Sequence, residues 1–449
     1  MTQALFILDL DRCTGCAACV VACNTENTVI NGVSWRRIHT FNPQRLPAAP
    51  VFHLSLACNH CLEPACLAGC PANAYTKDDR TGAVLIDEDR CMGCRYCSWV
   101  CPYEAPQFNT GTGIMEKCTF CDHRQADDLA PACVVACPTD ALRFEPDGEP
   151  ATVEHAGFPE IGIGPAVRIV GDRRRSAPEM TAAPPQITHP IRSNAVGWQG
   201  LWSEMSLWFF TSAAVLLVAW FTAATALGRI VALPVFAACG VLAMAVSALH
   251  LGKITRVWRG VLNVRSSWIS REAAFFSAFF GAACALTLVD GGLPEAASWA
   301  AAVLAFAALF SMDMVYRVLG QPTATVPHSA MATLTATFYI GILLDAPMLL
   351  WPTAALKLVL YLARRDHPAP RGWITGAVRI VIGLVLPVAI LATGTAPPGV
   401  ALIGVIIGEL IDRAEFYATL RFLTPSHQIN VDLRGQNQRG RPTFLTPNS

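Results

Sequence analysis

The sequence has no excess of either charge. Its 33 Lys and Arg balance its 33 Asp and Glu, so the basic stripe that would favour a nucleic-acid partner is missing. Charge is scarce as well: 15% of the 449 residues are charged against 53% hydrophobic. The shortage is uneven, because the long apolar runs all follow residue 200. Cysteine has the opposite bias, with only Cys239 and Cys284 of the 18 lying beyond Cys137. The opening MTQALFILDLDR carries no basic stretch, no cleavage site and no twin-arginine pair, so no secretory signal is expected. GIGPAV is not a dinucleotide fingerprint, since Val167 stands where the third glycine belongs. No nucleophile–base constellation is present either, which places substrate chemistry on another polypeptide. The composition is that of a metal-rich soluble head joined to a membrane body.

The cysteines fall into four groups of four. Cys13, Cys16, Cys19 and Cys23 form the first, and Cys58, Cys61, Cys66 and Cys70 the second. Cys91, Cys94, Cys97 and Cys101 form the third, and Cys118, Cys121, Cys133 and Cys137 the fourth. A proline follows every group except the first. A disulfide framework belongs to secreted domains without tight C-x2-C pairs. Zinc needs four ligands and gives no reason for a run of four at C-x2-C-x2-C-x3-C. Both readings account for less of the pattern than iron–sulfur ligation, in which sixteen thiolates at four per cubane hold four [4Fe–4S] clusters. In two-cluster ferredoxins the fourth cysteine of each run ligates the other cluster. Groups two and three, close in sequence, make one such unit; groups one and four then close around it. The expected head is an α+β ferredoxin-like iron–sulfur domain over residues 1–145, with two pairs of four-cysteine motifs, one inserted in the other.

The runs CNHCLEPACLAGCP, CMGCRYCSWVCPYEAPQF and KCTFCDHRQADDLAPACVVACP resemble the four-cluster electron-transfer subunit of the dimethyl sulfoxide reductase family of molybdenum enzymes. That resemblance implies one cluster on Cys13, Cys16, Cys19 and Cys137, and its neighbour on Cys23, Cys118, Cys121 and Cys133. It implies a third on Cys58, Cys61, Cys66 and Cys101, and a fourth on Cys70, Cys91, Cys94 and Cys97. The first pair would face a molybdopterin-containing catalytic partner and the second the membrane. Some relatives replace the second cysteine of group three and hold three irons there; Cys94 is retained here, so four irons are expected at every site.

Residues 146–203 include RRRSAPEMTAAPPQITHP and read as a Pro/Arg-rich irregular linker. Arg173, Arg174 and Arg175 read as a solvated charge run, with docking to a partner or to anionic lipid as the functional alternative. Residues 204–420 then carry eight apolar segments near the length that ~30 Å of hydrocarbon requires, followed by a polar tail over 421–449. The segments run at 206–227, 230–251, 270–290, 295–317, 330–345, 347–363, 373–393 and 399–420, the fifth and sixth separated only by Asp345–Pro347. An all-α bundle of about eight transmembrane helices is therefore expected. Eight spans put Lys253, Arg256, Arg259, Arg265, Arg271 and most later arginines on the side of the head, against Arg229 on the other. The positive-inside rule places that side, the head and both termini in the bacterial cytoplasm.

A buried haem would need axial ligands within the spans, but His250, His328 and His367 all fall at span ends, so no haem is expected. Electrons must then pass to a mobile lipid-soluble carrier, menaquinone or ubiquinone. The segment LHLGKITRVWRGVLNVRSSWISREAAFF, residues 249–276, resembles the quinol-site loop of the dimethyl sulfoxide reductase anchor, and IGELIDRAEFY resembles that anchor's last helix. The likeness implies His250 and Glu272 as quinone-site residues, with Gly252 allowing close approach. Interfacial anchoring for His250, and pairing with Arg271 or Arg265 for Glu272, are the structural alternatives. Asp313 and Arg317 are spaced to satisfy one another, and Lys357, Arg379 and Glu409 lie inside later spans, where ionisable groups are functional candidates.

The sequence thus reads as a fused electron-transfer and membrane-anchor subunit, a non-catalytic part of an oxidoreductase complex. It would link a catalytic subunit, sulfite dehydrogenase-like or dimethyl sulfoxide reductase-like, to the membrane quinone pool. The alternative is a component of a quinone-linked ion-translocating complex of the same anchor superfamily.

Overall fold

The structure, a computed structural model, describes residues 3–30, 32–42, 51–149, 162–171, 205–288, 295–317, 327–363, 373–395 and 398–419. They belong to two units, one within Met1–Asn194 and one within Ala195–Arg421. Arg173–Arg175, His367 and the tail over 421–449 lie outside the described residues.

The first unit runs β1 (Gln3–Asp9), α1 (Ala18–Glu26), β2 (Arg37–Phe41), β3 (Phe52–Leu56), α2 (Ala65–Gly69), β4 (Tyr75–Lys77), β5 (Val84–Ile86) and α3 (Tyr96–Val100). It continues with β6 (Gln107–Asn109), β7 (Ile114–Glu116), α4 (Asp122–Ala126), α5 (Ala132–Val135), β8 (Leu142–Gly148) and β9 (Val167–Val170). The helices are short because each carries only the cysteines of its own run. What organises them is β1, whose apolar sequence QALFILD is buried almost throughout. It pairs antiparallel with β8, Leu8 opposite Leu142 and Phe6 opposite Phe144, so the strand before the first cysteine group is bonded to the strand after the fourth. The β4–β5 ladder, with Tyr75 opposite Ile86, stands in the same way between groups two and three.

β9 corrects the reading of 146–203 as irregular linker. Val167–Val170 adds a parallel strand to the other edge of β1, and the head sheet extends past residue 145 on both β8 and β9. The GIGPAV stretch leads into this strand: the carbonyls of Gly164 and Ile163 accept from Leu62 N and Glu63 N, and Ala166 N donates to Asn59 O. The segment that fails as a nucleotide fingerprint thus clamps the loop of Cys58 and Cys61.

The second unit contains a helix for each of the eight apolar segments. They are α6 (Met205–Ala226), α7 (Leu233–Ala248), α8 (Trp268–Leu288), α9 (Glu295–Val315), α10 (Ala332–Leu343) and α11 (Pro347–Ala363). After these, α12 (Trp373–Ile380) passes through a π turn (Val381–Val385) into α13 (Leu386–Thr393), and α14 (Pro398–Thr419) closes the unit. Among the described residues four helices are long and apolar enough to cross a membrane: Met205–Ala226, Trp268–Leu288, Glu295–Val315 and Ile374–Thr393. α7, α10 and α11, at 16, 12 and 17 residues, reach about 24, 18 and 26 Å at ~1.5 Å per residue, short of ~30 Å of hydrocarbon. α14 has 22 residues but carries Glu409, Asp412, Arg413 and Glu415. The expectation of eight spans therefore holds on length and apolarity for four. Segments five and six are separate helices, turned at Asp345 with φ 48°, and a Cβ on Gly341 would stand 3.0 Å from Leu350 N.

Two local features set the packing of α14. Pro387 offers no N–H and its ring crowds the carbonyl four residues earlier, which an α-helix cannot accommodate without distortion; the π turn over Val381–Val385 sits at that position. Gly404 and Gly408 repeat at the four-residue spacing of close membrane-helix contacts. A Cβ on Gly408 would lie 2.3 Å from the Gly383 Cα, and one on Gly404 2.7 Å from the Ile382 carbonyl oxygen. Backbone meets backbone there, which brings Arg379 of α12 up to Glu409 and Asp412 of α14.

Candidate metal centres and buried charges

Two of the cysteine loops are built alike from the residue before them. Asp9 Oδ1 accepts from Asp11 N at 3.0 Å and Arg12 N at 3.3 Å, and its carbonyl accepts from Cys13 N. Asp87 repeats this with Asp89 N at 2.9 Å, Arg90 N at 3.0 Å and Cys91 N. An Asp side chain that bonds its own downstream backbone makes such a turn readily. The residue preceding the second cysteine is left-handed in all four groups: Gly15 (φ 72°), His60 (φ 40°), Gly93 (φ 69°) and Phe120 (φ 67°). Glycine adopts this conformation freely. His60 and Phe120 hold it at a cost of order 1 kcal/mol or more, offset by burial: their rings stack 4.3 Å apart with a 3° interplanar angle.

The loops converge across the sequence. One cavity is lined by Cys13, Cys16, Cys19 and Cys137, and a second by Cys58, Cys61, Cys66 and Cys101. In each, the last thiol comes from a distant run. Cys23, Cys121 and Cys133 lie within electrostatic reach of one another, and Cys118 of Cys23 and Cys133. Cys70, Cys91, Cys94 and Cys97 form the remaining neighbourhood. Burial pushes the Cys23, Cys94 and Cys101 thiols up to about 12, and raises those of Cys61, Cys66, Cys97 and Cys118 as well. At Cys137 burial acts the same way but is outweighed by backbone donors, Leu142 N at 3.4 Å first, and the thiol is lowered. Thiols so buried become thiolates only beside a strong positive centre, which a metal supplies.

None of the eighteen cysteines is in a disulfide, and Cys16 is the one exposed member of the four groups. Near it in sequence or packing stand exposed apolar side chains, Val21 on α1 and Val135 on α5, helices that pack together.

In the helical unit His250 follows the end of α7, half-buried, its Nδ1–H donating to the Ser247 carbonyl. That bond places a proton on Nδ1. Gly252 is exposed. The following 3-10 helix, Ile254–Val261, mixes basic residues with exposed Ile254, Val257 and Trp258, the composition of a segment at a membrane–water interface. Glu272 is the fifth residue of α8 and has no hydrogen-bond or ion-pair partner among the described residues. Its electrostatic neighbours are Asp313 and Arg413, with Tyr316 and Tyr417. Neither arginine weighed for it pairs with it: Arg271 donates to the carbonyls of Val264 and Arg265 and stacks on Trp268 at 4.2 Å. Asp313 is not paired with Arg317 either. It accepts from Ala332 N at 2.6 Å, Thr333 N at 3.1 Å and Thr333 Oγ1 at 2.6 Å, capping α10.

Lys357, Arg379 and Glu409 converge, and Asp412, not singled out from the sequence, completes their set. Lys357 Nζ lies 2.8 Å from Glu409 Oε2, and Arg379 Nη2 lies 2.8 Å from Glu409 Oε1 and 3.3 Å from Asp412 Oδ2. Thr335 and Ser329 hydroxyls donate to the two carboxylates at 3.0 and 2.8 Å. Two cations thus face two carboxylates away from solvent, which accounts for these charges as structure. Removing one partner leaves the other charge buried and unpaired, at a cost of about 3–5 kcal/mol. Lys357→Met is accordingly expected to lower the thermal midpoint of the detergent-solubilised protein markedly, and Lys357→Met with Glu409→Gln to recover part of the loss; additive losses in that pair would show the two groups uncoupled.

Residues 50–146 match the family described as 4Fe-4S dicluster domain, and residues 202–359 match the DMSO reductase anchor subunit family, DmsC. A sulfite dehydrogenase subunit of Allochromatium vinosum is 37% identical over 196 residues, 37% of this chain and 82% of the relative. A polypeptide of the anaerobic dimethyl sulfoxide reductase of Escherichia coli is 42% identical over 156 residues, 33% of this chain and 76% of the relative. The thiosulfate reductase electron transfer subunit of Salmonella typhi is 39% identical over 145 residues, 32% of this chain and 75% of the relative.

Proposed function

The protein belongs to the family of iron–sulfur electron-transfer subunits of dimethyl sulfoxide reductase and its sulfite and thiosulfate relatives, continuous here with a DMSO reductase-type anchor, and from that we propose that it passes electrons between a separate molybdopterin catalytic subunit and membrane quinone. The observation that carries this reading is the convergence of cysteines from distant runs on common cavities. We assign the ligands as Cys13, Cys16, Cys19 with Cys137; Cys23, Cys118, Cys121 with Cys133; Cys58, Cys61, Cys66 with Cys101; and Cys70, Cys91, Cys94 with Cys97, in a ferredoxin-like arrangement. When bound, the four [4Fe–4S] clusters supply one-electron transfer without proton chemistry. The protein's own part is to keep water from the sulfurs, to hold the loops with Asp9 and Asp87, and to expose the edge of the first set at Cys16. The exposed Val21 and Val135 support docking of the catalytic partner on that face. The full chain purified without oxygen is expected to hold about sixteen irons and as many acid-labile sulfides; about twelve, or stoichiometric zinc, would overturn the assignment.

The anchor is read as a bundle of about eight spans in the bacterial inner membrane, with no haem and with head and termini on the cytoplasmic side. The basic residues between α7 and α8 support that orientation. A reporter fused after Ser449 is expected to be active only in its cytoplasmic form, and activity of a periplasmic reporter there would refute it.

For the quinone, menaquinone or ubiquinone, we propose a site at His250, Gly252 and Glu272. A quinol releases two protons with its two electrons, so its site needs a proton acceptor, and quinone reduction needs the same group as donor. His250 Nε2 suits that role, since an imidazole titrates near neutral pH. Glu272 is a carboxylate with no donor of its own among the described residues, and Gly252 leaves the approach open. His250→Arg is expected to leave the iron content intact while abolishing electron exchange with quinone analogues, and Glu272→Gln to impair it less. Exchange at the unmodified rate in His250→Arg would move the site elsewhere.

A further inference from the structure

Arg36 has no task in the scheme above, yet it is among the most deeply buried large side chains of the molecule, at 1% exposed. It immediately precedes β2. Its Nη1 donates to Ser55 on β3, to the hydroxyl at 3.1 Å and the carbonyl at 3.5 Å. The same Ser55 Oγ stands 3.4 Å from Cys19 Sγ; against a thiolate the hydroxyl is the donor. The guanidinium carbon lies 4.5 Å from the centre of the Phe6 ring. Among the described residues its Nε and Nη2 have no hydrogen-bond partner and no carboxylate pairs with it. The ionisable groups within its electrostatic reach include the thiols of Cys133, Cys118, Cys19 and Cys23.

A guanidinium keeps its proton at any working pH, and a buried cation without a counter-charge is strongly unfavourable. Carboxylates among the described residues do not supply that counter-charge, and the one hydrogen-bonded link from the guanidinium leads through Ser55 to Cys19. Lys117, the other buried cation of the head, differs: its Nζ is taken up by the carbonyls of Val84 and Cys118.

We propose that Arg36, linked through Ser55 to Cys19, is the fixed counter-charge of the two centres held by Cys13, Cys16, Cys19, Cys137 and by Cys23, Cys118, Cys121, Cys133, and that it holds their reduction potentials up. The inference rests on the ligand sets assigned above. Reduction adds one negative charge to a centre surrounded by low dielectric, and a cation within reach stabilises that added charge. Arg36 thus makes the outer pair of centres easier to reduce than their sulfur ligands alone would. Because the guanidinium does not titrate, the bias is the same at every physiological pH. It acts on the potentials without touching substrate, so Arg36 is a positioning residue for charge and not a catalytic one.

The test is a redox titration of the full, anaerobically purified protein, followed by electron paramagnetic resonance, with iron and sulfide counted on each sample. Arg36→Gln is expected to retain its iron and to lower at least one midpoint by the equivalent of tenfold or more in the reduced-to-oxidised ratio, about 59 mV for one electron. Arg36→Lys, which keeps the charge, should recover most of that shift, and Ser55→Ala should lower one midpoint by less. A full iron complement with unmoved midpoints in Arg36→Gln would overturn this proposal alone, as would an Arg36→Lys shift equal to that of Arg36→Gln. If Arg36→Gln loses its iron, Ser55→Ala decides, and unmoved midpoints there overturn the link to Cys19. A shortfall of iron in the unmodified protein would overturn the ligand assignment and this proposal with it.

Discussion

Thiols from distant stretches of sequence have to be brought together, and much of the head is the means of doing so. Cys137 lines a cavity with Cys13, Cys16 and Cys19, and Cys101 lines one with Cys58, Cys61 and Cys66. Cys137 therefore has to return to Cys13, and Cys101 to Cys58. The β1–β8 pairing performs the first return, and the nesting of the β4–β5 pair inside it accommodates the second. Left-handed residues before the second cysteine of each group turn the backbone into these cavities. Where that residue is His60 or Phe120, the strain is carried by the aromatic stack that also fills the core between the loops.

Electrostatics imposes the matching constraint. Thiolates brought together in a dry interior repel one another and are poorly solvated, so the sets are stable only with positive charge beside them. Iron supplies most of it. The burial of Arg36 and Lys117 among the loops shows that the protein also places permanent cations in this interior, although each costs desolvation energy of several kcal/mol.

The helical unit meets a related problem with a different solution. Glu409 and Asp412 on α14 face Lys357 and Arg379, and the hydroxyls of Thr335 and Ser329 complete the carboxylates. The close glycine contact between α14 and the π turn lets these long side chains meet without a gap. Glu272 stands apart from that network, next to Asp313, Arg413 and two tyrosines. Its lack of a hydrogen-bond donor among the described residues distinguishes it physically from the paired carboxylates.

The sequence by itself determined the four cysteine groups, the two-part organisation and the places of eight apolar helices, because cysteine spacing and hydropathy are local and survive in one dimension. The repeated turn before Cys13 and Cys91 was equally readable, since DLDRC and DEDRC are nearly the same words. Only the tertiary structure decided which thiols share a cavity, that residues 162–171 belong to the head, and that, among the described residues, four of the eight apolar helices are both long and apolar enough to span. It also decided the pairings of Asp313, Lys357, Arg379, Glu409 and Asp412, and the burial of Arg36. A charged residue looks the same in sequence whether water or another segment solvates it. Arg36 sits beside Arg37 in an ordinary basic pair, and its isolation from water comes from strands and loops as far away as Cys133.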